Sequence, residues 1–211
     1  MKNTWLNLFL ILVCLSACST KQENNLATNA QNGTVENTTQ TNEVSSSYFY
    51  INTLRNEKPA NITIDEEKIQ LSLQNTALFG KLKGDKRKYY NASNEMQFAV
   101  KLSENGFKLR DAQEELLWKV KLYDDKIKLA NNEEMENAYE IKLRDDKLKI
   151  EQNNEEIEVF RFNPQAPNVQ LNEAYMVRGF GNSIAMGVLL IGVIPEPEKF
   201  MLCTEILKRG K

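Results

Sequence analysis

The sequence predicts a β-rich protein of the α+β kind. It reads as an antiparallel meander of about ten strands, a curled sheet or barrel, with a hydrophobic C-terminal helical segment packed on it. Three observations predict this. Residues 119–156 contain nearly the same phrase twice, KVKLYDDKIKL and then EIKLRDDKLKI. On both sides of each doubled acid, apolar and charged residues alternate with period two, as in a strand with one buried face. Beyond residue 165 the alternation stops, and a nearly continuous apolar stretch leads into a helix-forming run.

The repeated phrase is a hairpin. With Asp124-Asp125 as a two-residue tip, Leu122 falls opposite Ile127 and Val120 opposite Leu129, so all four side chains share one face. The next copy places Tyr139, Ile141 and Leu143 before Asp145-Asp146, with Leu148 and Ile150 after it. The pattern also runs backwards. Phe98, Val100 and Leu102 precede the turn Glu104-Asn105-Gly106, and Phe107 and Leu109 follow it. Leu82 precedes Gly84-Asp85, and Ile62 and Ile64 precede Glu66-Glu67. The anchors Ile64, Leu82, Leu102, Leu122 and Leu143 are spaced by 18, 20, 20 and 21 residues, the length of a hairpin plus its return loop. Five hairpins result, with 48–54 and 157–162 able to add a strand at each end. The Leu82 copy is the weakest, because Arg87 takes a core-facing slot.

On the opposite face the same register sets Lys121 against Lys128 and Lys142 against Lys149. Like charges directly opposed are unfavourable. Such a column serves either an acidic partner or lipid headgroups, or it is a solvated face compensated by nearby Asp and Glu. The acidic runs NNEEMEN and NNEEIE lack the spacing and glycine of a calcium loop and read as return loops.

After NPQAPN, a helix is favoured over 172–193, weakened near Gly179 and Gly181; the stretch 183–194 fits either helix or strand, is too short to cross a membrane and is therefore expected to be buried. A second helix is expected over 198–209. Pro197 suits its first turn, and Lys208, Arg209 and Gly210 close it.

Residues 1–20 read MKNTWLNLFLILVCLSACST, a charged start, an apolar core and small residues before a cysteine. Leu15-Ser16-Ala17-Cys18 resembles the lipobox of bacterial lipoproteins. The resemblance implies diacylglycerol transfer to the Cys18 thiol, cleavage before it and acylation of the new amino group. Ser19, in place of the Asp that would retain the protein at the inner membrane, implies an outer-membrane location facing the periplasm in a cell with two membranes. The expected organisation is a signal peptide over 1–17, a lipidated tether over 18–47, the meander over 48–165 and the C-terminal segment over 166–211. The tether is rich in Asn, Gln, Thr and Ser, too polar to offset the entropy of ordering it.

Composition narrows the chemistry. The 211 residues include no histidine, which removes the commonest general base and metal ligand, and the net charge of −2 argues against nucleic-acid binding. Once residues 1–17 are gone and Cys18 is blocked, Cys203 is left alone among Phe200, Leu202, Ile206 and Leu207, where it reads as a small buried hydrophobe. No catalytic residue, metal site or cofactor is expected. The body is read as a non-catalytic, membrane-anchored module with a structural or protein-interaction role at the cell envelope, an envelope protein being the expected partner in the second case. The alternative is a half-barrel carrier of a lipid or other apolar small molecule.

Overall fold

The computed structural model describes residues 46–54, 58–73 and 76–211. The signal peptide, Cys18 and all but the last two residues of the tether lie outside the described residues.

The body is one antiparallel sheet of fourteen strands. In chain order these are β1 (Ser47–Thr53), β2 (Lys58–Ile64), β3 (Ile69–Leu73), β4 (Thr76–Lys83), β5 (Lys86–Tyr90), β6 (Met96–Ser103) and β7 (Gly106–Arg110). Then come β8 (Leu116–Leu122), β9 (Lys126–Ala130), β10 (Tyr139–Arg144), β11 (Lys147–Gln152), β12 (Glu155–Arg161), β13 (Asn168–Leu171) and β14 (Tyr175–Arg178). Two helices follow, α1 (Met186–Leu190) and α2 (Glu196–Lys208). From β1 to β12 every strand pairs with its neighbour in sequence. The hairpin β13–β14 then returns to the start, with β14 against the free side of β1. The result is a nearly closed, barrel-shaped sheet whose edges are β12 and β13.

The five expected hairpins share one geometry. Ile64 pairs with Ile69, Leu82 with Arg87, Leu102 with Phe107, Leu122 with Ile127 and Leu143 with Leu148. Gly84 and Asp145 take positive φ at their tips, at 60° and 52°, as tight hairpin turns demand. The return loops form a second repeated device. The side-chain oxygens of Asn91, Asp111 and Asn132 each accept the backbone N–H four residues on, and Asn94, Glu114 and Met135 supply the left-handed residue. Register shifts at Tyr89/Tyr90, Leu109/Arg110 and Ile150/Glu151 mark β-bulges, which add twist and bend the sheet toward closure.

Two expectations need correction. The sheet has fourteen strands, not about ten, and 172–193 is not a helix. Residues 168–178 form the hairpin β13–β14, in which Val169, Leu171, Tyr175 and Val177 are buried and alternate with polar or partly exposed residues. This two-residue period is real, but it lasts only four residues per strand. It becomes decisive only because β1 offers an unpaired edge. Helix α1 is correspondingly short, confined to five residues.

The inward faces of the strands and both helices make one core. Leu202, Cys203, Thr204, Glu205 and Ile206 of α2 have no exposed surface, so the helix is covered on all sides, as expected for a segment enclosed by a curled sheet. Its last turn meets the hairpin tips. Lys208 donates to the carbonyls of Asp65 and Glu66 at 2.6 and 3.2 Å, and Arg209 donates to that of Ser103 at 3.1 Å. Its first turn meets the opposite end of the sheet, where Trp118 Nε1 donates to Glu198 at 2.6 Å. Helix α1 lies against β11 and β13, behind the seam. There a Cβ on Gly187 would stand 2.4 Å from Ile141 Cγ2, so glycine is what lets helix and sheet touch.

The edge strand β12 contains no buried residue. Its Glu158 is opposite the buried Ile150 on the inward face, and Glu155, Glu156 and Arg161 line the strand. Charges at an edge, and one aimed inward, discourage pairing with another sheet.

Candidate functional site

The interior holds a buried polar cluster where α2 meets β5. Arg87 on β5 occupies the core-facing slot that its hairpin position dictates, and Glu205 of α2 meets it. The Arg87 guanidinium donates to Glu205 Oε2 at 2.5 Å, and the Tyr89 hydroxyl donates to Oε1 at 2.6 Å. Burial opposes the charge on Arg87, but Glu205 outweighs it and raises the pKa further. Burial, reinforced by Glu205, keeps the Tyr89 phenol protonated. Both carboxylate oxygens are thus engaged by protein donors, and the cluster ties the helix to the sheet.

A second buried cation, Lys199, donates to the Leu189 carbonyl at 3.0 Å and lies 3.3 Å from the Tyr175 hydroxyl. Burial lowers its pKa. Cys203, one turn along α2, donates to the Ala185 carbonyl at 3.4 Å. Burial pushes its thiol well above the ordinary value, so the thiolate needed for nucleophilic chemistry is suppressed. Cys203 is the small buried hydrophobe expected of it. The tip-proximal Gly179 and Gly181 are turn residues with φ of 84° and 53°.

On the outer face, Lys121 opposes Lys128 and Lys142 opposes Lys149, as expected. Compensation comes from acids in or next to the same ladders. Glu140 accepts from Lys128, Lys142 and Lys126 at 2.8, 2.8 and 3.2 Å. Burial works against its charge, but these hydrogen bonds prevail and hold its carboxyl down to about 2. Glu151 bridges Lys142 and Lys149 at 2.7 and 2.6 Å. From the return loops, Glu133 reaches Lys108 at 2.6 Å and Lys119 at 3.5 Å, and Glu114 reaches Lys88 at 3.0 Å and Lys86 at 3.8 Å.

Between β6 and β8 the outer face is hollowed into an open groove of about 720 Å3. The outward Lys108, Lys119, Lys121 and Tyr123 line it together with Ser103 and Asn105, and Asp124 and Asp125 line its hairpin-tip side. Gly106, between Ser103 and Lys121 in the ladder, contributes no side chain there. A Cβ on it would lie 2.0 Å from the Val120 carbonyl oxygen, so the close approach of β7 to β8 requires glycine.

Among the described residues no group of three or more Cys, Asp or Glu is arranged to hold a metal ion, and no helix is long and apolar enough to cross a membrane. No family model, curated protein or solved structure matches the chain. The site expected from sequence, Cys18, lies outside the described residues. Sequence reasoning missed the Arg87–Tyr89–Glu205 cluster, although Arg87 in an apolar slot and Glu205 in an apolar helix were both visible as exceptions to their patterns.

Proposed function

We propose that the protein is a lipid-anchored bacterial envelope protein, held by Cys18, whose body is a non-catalytic scaffold acting through its outer surface. In a cell with two membranes it sits at the outer membrane and faces the periplasm. The observation that carries the reading of the body is its filled interior. Helix α2 covers the apolar inner face of the sheet, and that face therefore needs no ligand to shield it from water. This favours a scaffold over a carrier. The lipobox-like residues 15–18 support the anchor.

Two measurements test the proposal. Cells expressing the Cys18→Ser chain should lose radiolabelled palmitate from this protein, and retained label would remove Cys18 as the acylation site. Native mass spectrometry of the purified full-length chain should show no apolar small molecule bound at one copy per chain. Finding one would move the protein to the carrier class.

A further inference from the structure

We infer that the outer face of strands β4–β9 is a docking surface for a linear acidic polysaccharide. This deepens the interaction half of the proposed function and does not depend on the anchor.

Charge is sorted on this wall to a degree that folding does not require. None of the six strands β4–β9 contains an Asp or Glu. Their outward positions form a chain of opposed cations: Lys83 with Lys86, Lys86 with Lys101, Lys101 with Lys108, and Lys108 with Lys119. Like charges in register cost stability. On β5–β8 relief comes from the return-loop end, where Glu114 and Glu133 reach in, and on β9 Lys126 and Lys128 pair with Glu140 of β10. Lys83, Lys101 and Lys121, toward the hairpin tips, are exposed and have no ion-pair partner among the described residues. They leave a band of uncompensated positive charge across the wall.

The shape of the band selects the partner. It runs from Lys83 on β4 to Lys121 on β8, five strands and about 19 Å at the usual ~4.8 Å strand spacing, and along the strands it is only a few residues deep. Acids bound it at both ends, Glu114 and Glu133 at the return loops and Asp85, Glu104 and Asp124 at the tips. The wall is also the outside of a barrel and is therefore convex. A flat anionic bilayer would touch few strands and meet the acidic rims. A linear polyanion can follow the band and meets the rim only where Asp124 and Asp125 border the groove. The groove at its centre supplies groups suited to sugars. Ser103 and Asn105 offer a hydroxyl and an amide, and Tyr123, 41% exposed with Lys126 Nζ 5.7 Å from its ring centroid, offers aromatic surface to a sugar.

The test uses the full-length chain in a non-ionic detergent, with fluorescent dextran sulfate as probe and uncharged dextran, polyphosphate and phosphatidylglycerol vesicles as comparators. Dextran sulfate should bind, with affinity falling as salt rises, and uncharged dextran should not. Lys101→Glu with Lys121→Glu should weaken binding by about tenfold or more, whereas Lys147→Glu, the same change outside the band, should alter it by less than about twofold. Tyr123→Ala should weaken dextran sulfate but leave polyphosphate unchanged. Circular dichroism should show all variants folded, since the altered side chains lie on the outer face. The inference is overturned if dextran sulfate fails to bind at low salt, or if Lys147→Glu matches the double variant. Tighter binding of the vesicles overturns it too. Equal binding of polyphosphate with no effect of Tyr123→Ala would reduce the surface to bare charge and overturn the assignment to a polysaccharide.

Discussion

Replacing Glu205 by Ala should be among the most damaging single changes to this protein. Glu205 is fully buried, and its two oxygens receive the Arg87 guanidinium at 2.5 Å and the Tyr89 hydroxyl at 2.6 Å. Truncation leaves an unpaired guanidinium in the core, a loss of about 3–5 kcal/mol when a buried pair is broken. An orphaned buried hydroxyl adds about 1–3 kcal/mol. Domains of this kind are stable by only ~5–15 kcal/mol, so the substitution should remove about a quarter of the total or more. The cost belongs to the broken cluster and not to lost net attraction. The triple variant Arg87→Met, Tyr89→Phe, Glu205→Leu, which fills the same space with apolar atoms, should therefore recover to within about 1.5 kcal/mol of the parent. Urea unfolding of the full-length chain, followed by far-UV circular dichroism, reports both values. If Glu205→Ala stays within about 1 kcal/mol of the parent, or the triple variant is no better than the single, the cluster is not what ties α2 to the sheet.

Two further outcomes are expected. Gly187→Ala should cost about 1–3 kcal/mol by forcing a methyl against Ile141, and combining it with Ile141→Ala should cost clearly less than the sum of the two changes in the same unfolding assay, because the new cavity accepts the new methyl. Glu140 should make the outer ladder acid-sensitive. Its carboxyl is held at about 2 against an ordinary 4.5, so its contribution is complete above the unfolded value and is lost as pH falls from about 4.5 through 2. Thermal unfolding across that range should show Glu140→Gln losing less stability than the parent, by on the order of 2 kcal/mol after allowance for solvent screening.

Much of the sheet was legible in the chain because hairpins are local. A period-two pattern, a turn pair such as Asp124-Asp125 and a five-residue offset are sufficient to set Leu122 against Ile127 and Lys121 against Lys128. The boundaries of α2 were legible too, from Pro197 in its first turn and Lys208 in its last. Other features depended on partners far away in sequence. Residues 168–178 are too short and too weakly patterned to declare themselves strands, and they become strands because β1, more than a hundred residues earlier, leaves an edge open. Arg87 marked its hairpin as doubtful when read alone. It is the right residue there because Glu205, 118 positions later, is carried to it by a helix enclosed in the sheet. Likewise, the lysine columns were plain as a pattern, but which lysines go uncompensated depends on how far Glu114 and Glu133 reach from their loops. Alternation and turn chemistry act between neighbours, so sequence determined the hairpins. Closure of the barrel, burial of α2 and the balance of charge on the outer wall arise from contacts between distant segments, which only the tertiary structure brings together.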